Sequence, residues 1–519
     1  MPSVITKIRI LNFKRFRDYT IRPNSQVNIL VGDNEVGKST VLDAIDIVAS
    51  GNVRKVEAIG IDKLLNIDAV QQFNAGERSY EHLPKLAIEL YLDGCCDHTM
   101  NGKNNTDGIT CDGIRLVCEP NLDFLSEVTE SMKAQEDYFP FDYYSIRFST
   151  FADEGYSGYK KKIRSILIDS VNMNTEYATN DFIKRVYNQY TEDNIKERAI
   201  HKCAYRQLKD SYSTHSLSAL NERITDRNYK FGLRMGASLS LENDLMIYEE
   251  KIGIDSKGTG KQVFIKTDLA LQRSGSQANV ILIEEPENHL SHVNLRKLIQ
   301  RVSNTQMGQL FITTHSSLVS TRLELQNLLI MHDGAEDKPT SLYGLKADTA
   351  KYFMKAPVAN VIEFALSKRV ILVEGPSEYM LFERFYESTI GHKPENDNVH
   401  IMDVRGLSFK RYLEIAQLLA SKVAVVTDND HNIQKNCIEK YSDFSTDNIE
   451  IFYENNEDLN TFEEALYSVN QALCNRIFDE VAIDFMLNNK TEAAYKLLIQ
   501  DDTITVPEYI RRAIKWINA

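Results

Sequence analysis

Two sets of residues in this chain have the types and spacing needed to act on phosphates. The first is Gly32-Asp33-Asn34-Glu35-Val36-Gly37-Lys38-Ser39, which completes G-x-x-x-x-G-K-[ST] and is followed by Thr40. Glycines let backbone N–H groups close around phosphate oxygens, Lys38 meets the β and γ charges, and Ser39 can hold Mg2+. Such a loop works beside a strand that ends in carboxylates, and Val280-Ile-Leu-Ile-Glu284-Glu285-Pro286 supplies one. Glu284 sits where a metal is held through water, and Glu285 where a base orients the attacking water. His315, closing Leu310-Phe-Ile-Thr-Thr-His, is placed to sense a γ-phosphate.

The second set is acidic. Glu374 follows Val370-Ile-Leu-Val, Glu378 comes one helical turn later, and Asp428-Asn429-Asp430 follows Val423 to Thr427. Ligand sites of open α/β sheets lie outside the carboxyl ends of strands, so these carboxylates can converge. Extended backbone would place Asp428 and Asp430 on one side. Converging carboxylates repel and need protons or divalent cations, and oxygen ligands of this kind suit Mg2+ or Mn2+. An isolated Asp-x-Asp after a strand is more often a solvated loop, so the order of the surrounding elements carries the argument.

Those elements are legible in the hydrophobic patterning. Ile8, Ile10, Leu11 and Phe13 mark one strand, and Val27 to Val31 a second that runs into the glycine loop. Val41, Leu42, Ile45 and Val48 share one face of a helix spanning Thr40 to Ala49. Val280 to Ile283 and Leu310 to Thr313 are short branched runs of the kind found in buried parallel strands. Residues 95 to 113 read as an exposed hairpin or loop, and residues 155 to 250 as polar helices opening on Lys160, Lys161, Lys162 and Arg164. From about 350 the alternation restarts: Val370 to Val373, a helix near Ser377 to Glu387, a strand near His400 to Val404, a helix from Phe409 to Ser421, and Val423 to Val426. A second α/β domain is expected there.

At 519 residues the chain exceeds what one core usually organises. Hydrophobic residues at 43% and charged residues at 26% exclude wholesale disorder. A formal charge of −14 means that any nucleic-acid contact must come from local patches or metal ions. Seven cysteines, an odd number, fit a reducing cytoplasm better than a disulfide framework. Cys95, Cys96, His98, Cys111 and Cys118 match no standard zinc spacing. Charges through the first residues and the lack of a long apolar run argue against secretion and membrane insertion.

GDNEVGKST, ILIEEPENHL and TTHSS resemble the Walker A, Walker B with D-loop, and switch histidine of ABC-type ATPases related to SMC and RecF proteins. In that class two subunits sandwich ATP, and a signature Ser-Gly-Gly-Gln acts across the dimer. The best match is Ser256-Lys-Gly258-Thr-Gly-Lys-Gln262, while Ser274-Gly-Ser-Gln277 sits too close to the strand. Glu284 replaces the usual Asp. VEGPSE, Arg405-Gly406-Leu407 and VVTDND resemble a Toprim domain. The combined order resembles the overcoming-lysogenisation-defect (OLD) family of ATP-dependent nucleases.

That resemblance implies an α/β chain: an ABC/SMC-like P-loop ATPase with a helical insertion, then a C-terminal Toprim α/β domain. The ATPase halves would be residues 1–154 and 241–345, the insertion 155–240 a dimerisation element, and 350–519 the nuclease. It further implies metals on Glu374, Glu378, Asp428, Asp430 and Glu463, the last chosen over Glu464 in Asn460-Thr-Phe-Glu-Glu-Ala-Leu. Lys490, in Asn489-Lys-Thr-Glu-Ala-Ala, would stabilise phosphate charge, though a surface lysine is the bland alternative. The implied cofactors are ATP and two Mg2+ or Mn2+ ions, and the substrate is DNA. Implied partners are a second copy (dimer or tetramer), and a helicase or a retron reverse transcriptase with its RNA–DNA product. Phage defence is the implied setting. The competing expectation is a RecF- or SMC-like scaffold ATPase without nuclease activity.

Overall fold

The computed structural model describes residues 3–95, 97–134, 139–157, 163–169, 176–191, 194–224, 228–234, 241–273, 280–288, 290–304, 308–332, 338–356, 360–405, 408–479 and 482–519. They divide into two compact units, Met1–His315 with Met331–Pro339, and Ser316–Ile330 with Thr340–Ala519.

Among the described residues, the first unit holds a two-stranded ribbon, Tyr248–Glu249 with Ile252–Gly253, and two large sheets. One is antiparallel and contains β1 (Val4–Phe13), β2 (Phe16–Ile21), β4 (Leu86–Asp93), β5 (Cys111–Pro120) and β6 (Tyr144–Thr150). Its order is β2-β1-β4-β5, with β6 also on β5. The other is parallel: β3 (Val27–Val31) pairs with β9 (Gln309–Thr313), β9 with β8 (Val280–Glu284), and β8 with β7 (Ser165–Asp169). Burial of nearly every residue explains the apolar runs of β8 and β9, while β3 is interrupted by Asn28, which is buried and donates to Asn24 O (2.9 Å) and Leu310 O (3.3 Å). Between β3 and β4 lies α1 (Lys38–Ser50), with Val41, Leu42, Ile45 and Val48 buried.

The span expected to be wholly helical from residue 155 therefore contains a strand of the core sheet. Within β7, Ile166 and Ile168 are buried and Leu167 is less so, a period-two pattern on an apolar run of three residues, shorter than the four of β8. Two helices follow, α2 (Glu176–Tyr190) and α3 (Ile195–Ser211), and later α4 (Thr259–Arg273) precedes β8. The first of these is pinned to α1. Arg185 Nη1 and Nη2 grip the two carboxylate oxygens of Asp46 at 2.6 and 3.1 Å, with Ser165 (2.7 Å) and Lys55 completing the set. Asp46 is 1% exposed, and Arg185 and Lys55 hold its carboxyl far below the usual range against the effect of burial.

The second unit is built on β10 (Arg369–Val373), β11 (Val399–Asp403), β12 (Lys422–Val426) and β13 (Ile449–Phe452). All pair in parallel, in the order β11-β10-β12-β13. Helix α5 (Pro376–Ile390) follows β10, with proline in its first turn and left-handed Gly391 ending it. Helix α6 (Phe409–Leu419) joins β11 to β12. Helices α7 (Phe462–Val469), α8 (Lys490–Leu498) and α9 (Glu508–Asn518) contribute Phe462, Leu497, Ile510 and Ile514 to one core with Phe382 and Phe385 of α5. This unit starts before residue 350: Leu342 N–H donates to Leu328 O (3.2 Å), and Gln326 Nε2 to Leu345 O (2.5 Å). Among the described residues no helix is long and apolar enough to cross a membrane.

Candidate active site

In the first unit, β3 delivers the glycine loop to the start of α1. Gly32 has no room for a side chain, because a Cβ would lie 2.5 Å from Met331 O and 2.7 Å from Val36 Cγ2. Gly37, at φ +98°, occupies the left-handed region and would strike the Phe16 ring. No side chain caps α1, so its first N–H groups keep their capacity for an anion. Lys38 lies buried within its own loop and donates to Gly32 O (2.8 Å) and Asp33 O (2.7 Å). Burial lowers its pKa, while Glu285, Asp33, Glu287 and Glu284 pull the other way. Asn34 and Ser39 are exposed, and Thr40 is half-buried.

Glu284 ends β8 in register with Thr313 of β9. Glu285 takes a left-handed turn, at φ 38°, and its N–H donates to Thr313 O (3.0 Å). Its Oε1 lies 3.3 Å from His315 Nε2, and its Oε2 accepts from Asn288 (2.7 Å). Glu287 was not anticipated: its Oε1 accepts from Thr314 Oγ1 and from the His315 N–H, both at 2.6 Å. Loop, acidic strand end and histidine therefore meet at one sheet edge. Ser256 and Gly258 are exposed ahead of α4, whereas Gln262 is buried and donates to Asp255 O (3.3 Å) and Lys257 O (2.8 Å). The near-match at Ser274 to Gln277, the lysines 160–162, and Gly406-Leu407 lie outside the described residues.

In the second unit the carboxyl ends of β10 and β12 carry the acidic set. Thr427 Oγ1 donates to Glu374 Oε1 (2.6 Å), as does the Asp428 N–H (3.2 Å). Glu378 is buried in the first turn of α5. Burial, opposed by its own N–H and helped by Glu463 and Glu374, raises its pKa to about 7. Burial and the charges of Glu374, Glu378 and Glu463 push Asp428 up to about 8. Glu463 is buried at the start of α7 and accepts from Lys490 Nζ at 2.8 Å. Glu464 closes a capping box with Thr461, and its carboxylate accepts from the Asn460 N–H (2.6 Å). Burial works against the Lys490 charge, but Glu463, Asp428 and Glu378 raise its pKa.

The expectation that Asp428 and Asp430 share a side fails. Asp430 has φ 47° and His431 φ 64°, so the backbone turns left-handed there. Asn429 drives the turn: its buried Nδ2 donates to the carbonyls of Glu454 (3.2 Å) and Leu459 (2.9 Å), while the Asp430 N–H reaches Asn460 O (3.3 Å). Asp430 is left exposed.

All four converging groups are hard oxygen donors whose mutual repulsion a divalent cation would relieve, so the set fits Mg2+ or Mn2+. Among the described residues no three such groups close into a cage as they stand. Glu374 is turned onto Thr427, and Glu463 onto Lys490.

Residues 366–430 match the Toprim domain of overcoming lysogenization defect protein-like sequences, and residues 4–234 match an AAA ATPase domain. In this chain a match to an ATPase domain therefore precedes a match to a Toprim domain of the OLD-like kind. It is 24% identical over 208 residues to Endonuclease GajA of Bacillus cereus (strain VD045), covering 37% of this chain and 35% of that protein. It is 25% identical over 95 residues to the DNA replication and repair protein RecF of Acetivibrio thermocellus, covering 17% of this chain and 26% of that one. The chain thus spans about a third or less of the length of these curated relatives. A solved RecF–ATP structure aligns with 65% of the chain and 99% of its own, at 10% identity and TM-score 0.34.

Three further groups at the OLD-type Toprim edge escaped the sequence reading. Thr427 was legible only as the residue before Asp428. Lys440 keeps its charge against burial through Tyr441, Glu374 and Asp430, and its Nζ lies 5.1 Å from the Tyr441 ring centre. Tyr509 of α9 is buried, and burial together with Asp428, Glu378, Glu454 and Glu463 raises its pKa. No local spacing marks either of the last two.

Proposed function

We propose that this protein hydrolyses DNA phosphodiester bonds in its Toprim unit under the control of ATP bound in its first unit, as part of phage defence. The observation that carries this reading is the convergence of Glu374, Glu378, Asp428 and Glu463 with Lys490 on one sheet edge. A scaffold has no need to bury mutually repelling carboxylates.

Glu374, Glu378, Asp428 and Glu463 would hold Mg2+ or Mn2+. When bound, two such ions activate water and stabilise the leaving oxygen of a phosphodiester. Thr427 and the Asp428 N–H fix the Glu374 carboxylate, and Lys490 offsets negative charge beside Glu463. In the first unit, Gly32, Asn34, Gly37, Lys38, Ser39 and Thr40 would take ATP, Glu284 the metal, and Glu285 the attacking water with His315 against it. Ser256, Gly258 and Gln262 would meet the nucleotide of a second copy. Exposed Ile195, Ile200 and Leu208 on α3 support assembly through the insertion. The protein would act in the cytoplasm as a dimer or tetramer, with room for a helicase or reverse-transcriptase partner.

The test is supercoiled plasmid with Mg2+ or Mn2+, with and without ATP, beside Asp428→Ala and Lys38→Ala. Nicking lost in Asp428→Ala and altered in its ATP response in Lys38→Ala is expected. ATP turnover with no cleavage under any condition would favour the RecF-like scaffold.

A further inference from the structure

A cavity of about 490 Å3 lies in the Toprim unit beside the acidic edge, lined by Asn360, Pro376, Tyr379, Met402, Asp403 and Arg405 among others. Its size falls within the roughly 300–1,000 Å3 range of small-ligand sites. Asp403 ends β11 in register with Val373, the residue before Glu374, so the cavity sits one strand over from that carboxylate. One strand step is about 4.8 Å. Its other wall is the first turn of α5, where neighbouring residues point about 100° apart. Glu378 is buried toward the carboxylates, while Tyr379, the next residue, is 50% exposed and lines the cavity.

The lining suits one nucleotide. Tyr379 offers an exposed aromatic face, Pro376, Met380, Ile401 and Met402 supply apolar walls, and Asn360 and Glu363 supply groups for a base edge. Every base has a π-face that can stack on such a ring. Arg405, held at φ 48° with Nε 3.0 Å from Asp403 Oδ2, keeps a side chain 57% exposed at the rim. A guanidinium fixed by one edge still presents donors to phosphate.

We propose that this cavity receives an unstacked base of the DNA strand being cut, next to the scissile phosphodiester, with Tyr379 stacking on the base and Arg405 contacting its phosphate. The proposal rests on the nuclease reading. It explains why a half-exposed tyrosine directly follows a buried acidic residue on α5.

The experiment measures cleavage of a defined duplex with Mg2+ or Mn2+ by wild type, Tyr379→Ala, Tyr379→Phe, Arg405→Ala and, as a remote control, Tyr343→Ala. Duplexes carrying a single abasic position on either side of the cut are run in parallel. Tyr379→Ala should raise KM about tenfold, in the lower part of the range for one base stack, with Phe restoring it. Wild type should lose a similar factor on one abasic position, and Tyr379→Ala should be indifferent to that position. Arg405→Ala should weaken binding and flatten its salt dependence. Unchanged KM in Tyr379→Ala with the abasic penalty intact, or a loss in kcat that Phe does not rescue, would overturn the cavity assignment while leaving the nuclease reading in place. No cleavage by wild type would overturn both.

Discussion

Lys490, the first residue of α8, donates to Glu463 Oε2 at the start of α7 across 2.8 Å, joining helices whose contact residues are 27 positions apart. The Glu463 side chain is 3% exposed and that of Lys490 is 48% exposed, so the lysine closes the acidic group on its solvent side.

Removing the lysine leaves a buried carboxylate without its cation. Lys490→Met is expected to lower stability by about 1–3 kcal/mol in urea unfolding, the range for an unpaired buried polar group. Adding Glu463→Gln should recover part of that loss. Equal stability of Lys490→Met and wild type would contradict the pairing.

Asp428 at about 8 and Glu378 at about 7 hold their protons more tightly folded than unfolded. The folded state binds more protons, so stability is greatest in mild acid and falls as pH rises through those two values. Metal-free protein should therefore lose Tm from about pH 5 and level off near pH 8, whereas Mg2+ or Mn2+ should restore more of it at the upper end. Asp428→Asn should flatten both responses. A pH-independent Tm without metal would refute the coupling.

Glu287 holds the His315 N–H and Thr314 Oγ1 while Glu285 faces the His315 ring. Glu287→Ala should free the histidine loop and slow ATP turnover by about tenfold, the lower end of what losing an orienting partner costs. Glu287→Gln, which keeps an acceptor, should fall between. Nucleotide binding measured by fluorescence should change far less than turnover.

The grip of Arg185 on Asp46 ties α2 to the helix that carries Lys38. Arg185→Met should destabilise the protein by about 1–3 kcal/mol, because the almost wholly buried Asp46 carboxylate keeps Lys55 and Ser165 but loses two charge-assisted hydrogen bonds. Asp46→Asn with Arg185→Met should be milder. A thermal melt unchanged by Arg185→Met alone would count against the anchor.

Much of this protein is written locally. Val27 to Val31, the glycine loop and the helix behind it follow from residues adjacent in sequence, because a strand or helix reports its own periodicity and a tight loop its own glycines. Strand ends at Glu284, Glu374 and Asp428 were legible for the same reason. The strand at Ser165–Asp169 was hidden although Ile166-Leu167-Ile168 is itself an apolar run, since three apolar residues ahead of polar helical patterns do not distinguish strand from helix.

Which distant group shares space with each of these residues was decided only by tertiary packing. Asp430 turns away from Asp428 because Asn429 bonds to carbonyls of the 454–459 segment, a contact that no spacing rule contains. Lys490 meets Glu463, Arg185 meets Asp46, and Tyr379 faces a cavity while Glu378 faces the carboxylates, all through helices brought together by the core. Sequence sets the direction of a side chain relative to its own backbone; the folded core sets what stands opposite it.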